Sequence, residues 1–102
     1  MAISLTPRQQ ALLKARAHLL EPVVKIGQAG LTEAVRAEVD RSLTAHGLIK
    51  VRLGAGDRGA RAELSTALSE QTESAAVQMV GRILVLWRPR PDDKPLDTGT
   101  TR

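Results

Sequence analysis

Cysteine is absent, so disulfides, thiol nucleophiles and Cys-ligated zinc are excluded, and the composition fits a reducing compartment. Phenylalanine and tyrosine are missing too, and Trp87 is the single aromatic residue. A core must therefore be built from Leu, Ile, Val, Ala and Met. The same scarcity argues against aromatic platforms as a way of holding single-stranded nucleic acid. No apolar run approaches the ~18 residues of a membrane span. Met1-Ala2-Ile3-Ser4-Leu5 lacks the basic region and long apolar stretch of a signal peptide. A soluble, cytoplasmic chain without membrane contact is expected. His18 and His46 have no histidine or carboxylate at metal-ligand spacing. None of the serines sits in a G-x-S-x-G elbow. Gly54, Gly56 and Gly59 match the spacing of a dinucleotide-binding loop but lack its acidic residue. No acid, base and nucleophile set can be assembled. The chain is expected not to be an enzyme and to need no metal or cofactor.

What is present suits one small globular domain. Hydrophobic content of 42% against 25% charged allows a modest core within 102 residues. The net charge is +4. From Pro89 onward Arg90, Lys94 and Arg102 balance Asp92, Asp93 and Asp97, so the excess lies in the preceding part. A basic surplus points to nucleic acid or another anionic surface. So small a surplus is also common in proteins that bind neither.

Thr6-Pro7-Arg8-Gln9 reads as a capping box with proline at the first helical position, opening a helix that runs to about Leu19. Pro22 stops it. Val23 to Ile26 reads as a short strand. Leu31, Val35, Val39 and Leu43 recur every fourth residue, a helical stripe that Gly47 ends. In Leu48 to Leu53, apolar Ile49, Val51 and Leu53 alternate with Lys50 and Arg52, a half-buried strand with a basic face. A third helix is expected from about Ala60 to Thr72. Strands at Ala76 to Val80 and Ile83 to Arg88 are joined by the two-residue turn Gly81-Arg82. Pro89 and Pro91 end the domain, giving residues 1–89 as the folded unit and 90–102 as a flexible polar tail. The order α-β-α-β-α-β-β predicts an α+β fold, a mixed four-stranded sheet with helices mainly on one face. Strand order is not readable from the pattern.

Between the first strand and the second helix lies Gly27-Gln28-Ala29-Gly30. Two glycines allow close approach of a ligand to the backbone, and the helix start adds unpaired N–H groups and partial positive charge. G-x-x-G loops of this type clamp a nucleic-acid backbone. A tight turn without a ligand has the same spacing.

Several segments, in order, resemble the YhbY-like proteins, which consist of a single CRM domain (chloroplast RNA splicing and ribosome maturation). They are residues 13–18, Pro22-Val23-Val24-Lys25-Ile26-Gly27-Gln28-Ala29-Gly30-Leu31-Thr32, Leu48-Ile49-Lys50-Val51-Arg52, and residues 77–89. The resemblance implies an RNA-binding domain with a fold similar to the C-terminal domain of translation initiation factor three. It implies association with precursors of the large ribosomal subunit and its RNA. It places Gly27 and Gly30 in the RNA surface. Relatives often carry a basic residue within the loop where this chain has Gln28 and Ala29, so contacts there fall to backbone N–H groups, the Gln28 amide and nearby Lys25. Trp87 stands where tyrosine is common.

On this reading the RNA-contacting residues are Lys25, Gly27, Gln28, Ala29, Gly30, Lys50 and Arg52, with Lys14 and Arg16 extending the surface from the first helix. Arg82 and Arg88 are expected to be solvated, and Arg58 and Arg61 lack motif support. Glu33, Arg36, Asp40 and Arg41 mix signs as a solvated helix face does. His46 suits a helix end, and His18 a packing or hydrogen-bonding place after the first helix. A monomer is expected. The competing reading is a protein-interaction adaptor whose basic charge is incidental.

Overall fold

The computed structural model describes residues 4–54 and 56–90. Seven elements follow one another: α1 (Pro7–Ala17), β1 (Pro22–Ile26), α2 (Glu33–His46), β2 (Leu48–Leu53), α3 (Arg58–Gln71), β3 (Ala75–Val80) and β4 (Ile83–Trp87). They form the α+β architecture that the pattern predicts. The strand order is β1-β2-β4-β3. β1 and β2 are parallel, and β4 runs antiparallel to both β2 and β3.

The helix starts follow their caps. The Thr6 hydroxyl accepts from the Gln9 N–H at 3.1 Å, and the Gln9 carboxamide accepts from the Thr6 N–H at 3.0 Å. This reciprocal pair satisfies two donors that a helix start leaves open. α1 stops two residues short of Leu19. The N–H groups of Leu19 and Leu20 reach back only three residues, to the carbonyls of Arg16 and Ala17, so the last turn tightens before Pro22. Thr32 caps α2 through the Val35 N–H, and Gly47 ends it at φ +80°. α3 begins two residues earlier than its apolar stripe suggests. Asp57 caps it by accepting from the Ala60 N–H at 2.8 Å.

The sheet packs fully on one face and in part on the other. On one, Val24, Ile26, Ile49, Val51, Leu53, Leu84 and Leu86 pack against Val39 and Leu43 of α2 and Leu68 of α3. On the other, Leu13 and Ala17 of α1 pack on Val77 and Val85, flanked by Leu48 and Trp87. Two helices thus share one face and α1 takes part of the other. Central β4 is covered on both sides, which accounts for its unbroken run Leu84-Val85-Leu86. Both edge strands carry register shifts, between Pro22 and Val24 and between Ala76 and Gln78.

Arg88 joins the layers just past β4. One guanidinium nitrogen donates to Asp40 Oδ1 at 2.7 Å and to the Thr72 carbonyl at 2.8 Å. The other donates to the Asp40 carbonyl at 3.0 Å and to Thr44 Oγ1 at 2.8 Å. Arg88 is therefore a tie between α2 and the end of α3 and not the solvated cation expected from its place at a strand end. Arg90 donates to the Ala45 carbonyl at 2.8 Å. The flexible tail expected from residue 90 lies, from 91 on, outside the described residues.

Because β1 and β2 are parallel, the segments that leave them emerge at the same end of the sheet. They press together there: a Cβ on Gly54 would lie 2.4 Å from the Ile26 carbonyl oxygen. The β3–β4 turn closes on the same place. The Leu53 N–H donates to the Arg82 carbonyl at 2.7 Å, and the Arg82 guanidinium donates to the Gly54 carbonyl at 2.9 Å. Gly54→Ala is expected to cost about 1–3 kcal/mol, because a backbone carbonyl must move to admit one methyl group. A urea titration that leaves the midpoint unchanged would contradict this packing.

Candidate nucleic-acid interface

The glycine loop, the segment after β2 and the β3–β4 turn form one end of the molecule, with the starts of α2 and α3 beside them. Within the loop, the Gly30 N–H donates to the Gly27 carbonyl at 3.0 Å and the Thr32 N–H to the Gly30 carbonyl at 3.0 Å. The first of these bonds closes a turn around Gln28 and Ala29, both exposed. The N–H groups of Gln28 and Ala29 have no partner among the described residues. The two glycines differ in why they are there. Gly30 has φ +76°, a conformation that disfavours L side chains. Gly27 has no positive φ, and a Cβ on it would meet nothing within 4 Å. The fold alone does not require glycine at Gly27.

The sequence-predicted cations divide by position. Lys25 and Arg52 are register partners on adjacent strands, both exposed, one turn of chain from the glycine loop. The register continues across the sheet, from Arg52 to Ile83 and from Ile83 to Val80. One row thus reads cation, cation, aliphatic, aliphatic. The next row back is Pro22, Lys50, Val85 and Gln78. Lys50 is half-buried and donates through Nζ to the Leu20 carbonyl at 3.0 Å. It holds the chain between α1 and β1 as well as carrying charge. Lys14 and Arg16 are exposed on α1, which packs by Leu13 and Ala17 onto the same sheet face as Lys25, Lys50 and Arg52.

α1 covers that face only at the Leu48 and Trp87 end. The half nearer the loops stays open, and a groove of about 220 Å³ lies where α1 ends, lined by Ala17, His18, Lys50, Gln78, Val80, Ile83 and Val85. His18 caps α1 and is exposed. Sequence reasoning did not single out Gln78, Val80 or Ile83. The one signal, a polar residue within an apolar strand, means nothing until the strand order sets β3 and β4 beside Lys50. A second groove of about 560 Å³ is lined by Arg58, Arg61, Met79 and Gly81 among others, so those arginines also border the loop end. Arg61 donates to the Gly56 carbonyl at 3.0 Å.

Of the carboxylates at this end, Asp57 is engaged as a cap. Glu33, in the first turn of α2, is held by Arg36 at 2.6 Å. Hydrogen bonds from Arg36, and then its charge, hold the Glu33 carboxyl below the usual carboxylate range. Its negative charge is matched by the same guanidinium. Arg41 pairs with Glu38 farther along α2, so most of the mixed charge is a solvated helix face as expected, while Asp40 belongs to the Arg88 tie.

Among the described residues, no helix is long and apolar enough to cross a membrane, and no group of three or more His, Asp or Glu side chains could hold a metal ion.

A four-stranded mixed sheet with a G-x-x-G loop between its parallel strands, flanked by cations, defines a small α+β module with a basic loop end. Residues 5–88 match the family described as the CRS1/YhbY (CRM) domain, and the chain belongs to that family. It is 43% identical over 91 residues to a Haemophilus influenzae protein named "RNA-binding protein", covering 89% of this chain and 92% of that one. It is 38% identical over 89 residues to a Pseudomonas aeruginosa protein named "Probable RNA-binding protein", covering 87% and 86%. The solution structure of a hypothetical protein from Staphylococcus aureus superposes with a TM-score of 0.80 at 33% identity, covering 89% of this chain and 95% of that one.

Proposed function

We propose that this chain binds RNA, gripping the backbone with the Gly27–Gly30 loop and with Lys25 and Arg52, and that its RNA is ribosomal, in precursors of the large subunit. The observation that carries the reading is the row that sets Lys25 beside Arg52 next to a glycine turn whose Gln28 and Ala29 N–H groups are unpaired. Cations at strand spacing and free N–H groups suit phosphate oxygens. Lys50, Lys14 and Arg16 extend this surface. The relatives named as RNA-binding proteins support the reading. The ribosomal assignment rests on the family resemblance. The module acts as a monomer in the cytoplasm, without catalysis.

Glycine substitutions in the loop test it. Gly27→Asp places a carboxylate where phosphate would sit, in open space and without backbone strain. It is expected to weaken RNA binding about tenfold or more, roughly 1.4 kcal/mol, at nearly unchanged stability. Gly30→Asp is expected to lose as much affinity and about 1–2 kcal/mol of stability, because it must adopt a left-handed φ. Native circular dichroism with unchanged affinity in both would reduce the loop to a turn. Co-sedimentation with ribosomal particles from lysate tests the finer assignment. A salt titration separates RNA binding from protein docking, since only phosphate contacts predict a steep slope.

A further inference from the structure

We propose that the groove at the end of α1 receives one unpaired RNA base, so that the module reads a nucleotide as well as gripping the backbone. This rests on the RNA-binding reading above and adds an occupant for a surface which that reading leaves empty. Ala17, Val80, Ile83 and Val85 form apolar walls, with Val80 60% exposed at the mouth. Val80 lies in the same row as Lys25 and Arg52, so an apolar group held there would sit beside an anionic one bound by the cations.

The polar groups fit the edge of a base. The Gln78 carboxamide, a donor and an acceptor side by side, has no hydrogen-bond partner among the described residues. Nor does the His18 imidazole at the rim. Lys50 Nζ spends one donor on the Leu20 carbonyl and keeps others free. Among the described residues no carboxylate lines the groove. Its volume, about 220 Å³, suits one planar heterocycle and is too small for a helix or strand of a protein partner. The cation row lies two residues along β2, roughly 7 Å away. A phosphate on Lys25 and Arg52 is therefore within one nucleotide of a base in the groove. Phe, Tyr and Trp are absent from the described lining, so the groove is an aliphatic slot and not a stacking platform.

The test compares a single-stranded oligouridylate with the same oligomer carrying abasic sites, at equal phosphate number. The wild-type chain is expected to bind the intact oligomer roughly tenfold more tightly. Gln78→Ala and Val80→Ser, both at positions that are not fully buried, should bring that ratio close to one while leaving the salt slope unchanged. In the wild-type chain, the methyl resonances of Val80 and Ile83 should shift with the intact oligomer and not with the abasic one. Equal affinities with a steep salt slope would overturn the base slot and leave the backbone grip standing. Binding of neither oligomer, nor of ribosomal RNA, would overturn both. Methyl shifts produced by an apolar peptide but not by the oligomer would assign the groove to a protein partner and overturn the proposal.

Discussion

Reversing both charges of the Lys25–Arg52 pair, as Lys25→Glu with Arg52→Glu, is expected to weaken RNA binding by about a hundredfold or more and leave the fold intact. Each charge-assisted hydrogen bond to phosphate contributes about 1.5–3 kcal/mol. On single-stranded RNA the salt dependence should flatten by roughly 0.7 in slope for each phosphate that is no longer neutralised. Stability should hardly change. Both side chains are exposed, and register neighbours of like charge remain register neighbours of like charge. The weakening should be similar across RNA sequences, because phosphate carries no base information. Filter binding over a salt series would measure both quantities. An affinity that survives the reversal would remove the sheet row from the interface.

The largest loss of stability is expected from Arg88→Ala, about 2–4 kcal/mol. The change strips donors from the Asp40 carboxylate, the Asp40 and Thr72 carbonyls and the Thr44 hydroxyl at once. The Thr72 segment has little slack. Its hydroxyl already donates to the Leu68 carbonyl at 2.7 Å and lies 2.8 Å from Ser74 Oγ, in a buried corner. Arg88→Lys should recover only part of the loss, since an ammonium is a point charge and cannot reach this spread of acceptors as a planar fork does. Trp87, adjacent and half-buried, gives a fluorescence signal for the unfolding curve. RNA affinity at low denaturant should remain near wild type. A stability change under 1 kcal/mol would contradict the tie.

What the amino-acid order revealed was mostly local. The Thr6–Gln9 box, the four-residue stripe of α2, the alternation in β2 and the Gly81-Arg82 turn depend on chain neighbours, and each element formed where those neighbours place it. Helix ends were less legible, because Asp57 caps α3 ahead of its apolar stripe and Pro22 tightens α1 before its last apolar residues. Strand order was hidden, since it depends on β4 entering between β2 and β3. With it went whatever spans strands: the row from Lys25 to Val80, the groove, and the role of Arg88. A guanidinium at the end of a strand looks the same on paper whether it meets water or four acceptors.

The two register shifts bear on how the molecule behaves in a crowd. A sheet with two open sides is a template on which further copies can pair strand to strand. Here β1 is interrupted between Pro22 and Val24, and Pro22 has no amide hydrogen to offer. β3 is interrupted between Ala76 and Gln78, and Gln10 of α1 donates to the Val77 carbonyl at 2.6 Å. Neither margin presents a straight, vacant ladder. The irregularities that shape the face beside α1 also guard against fibre-like association at high concentration.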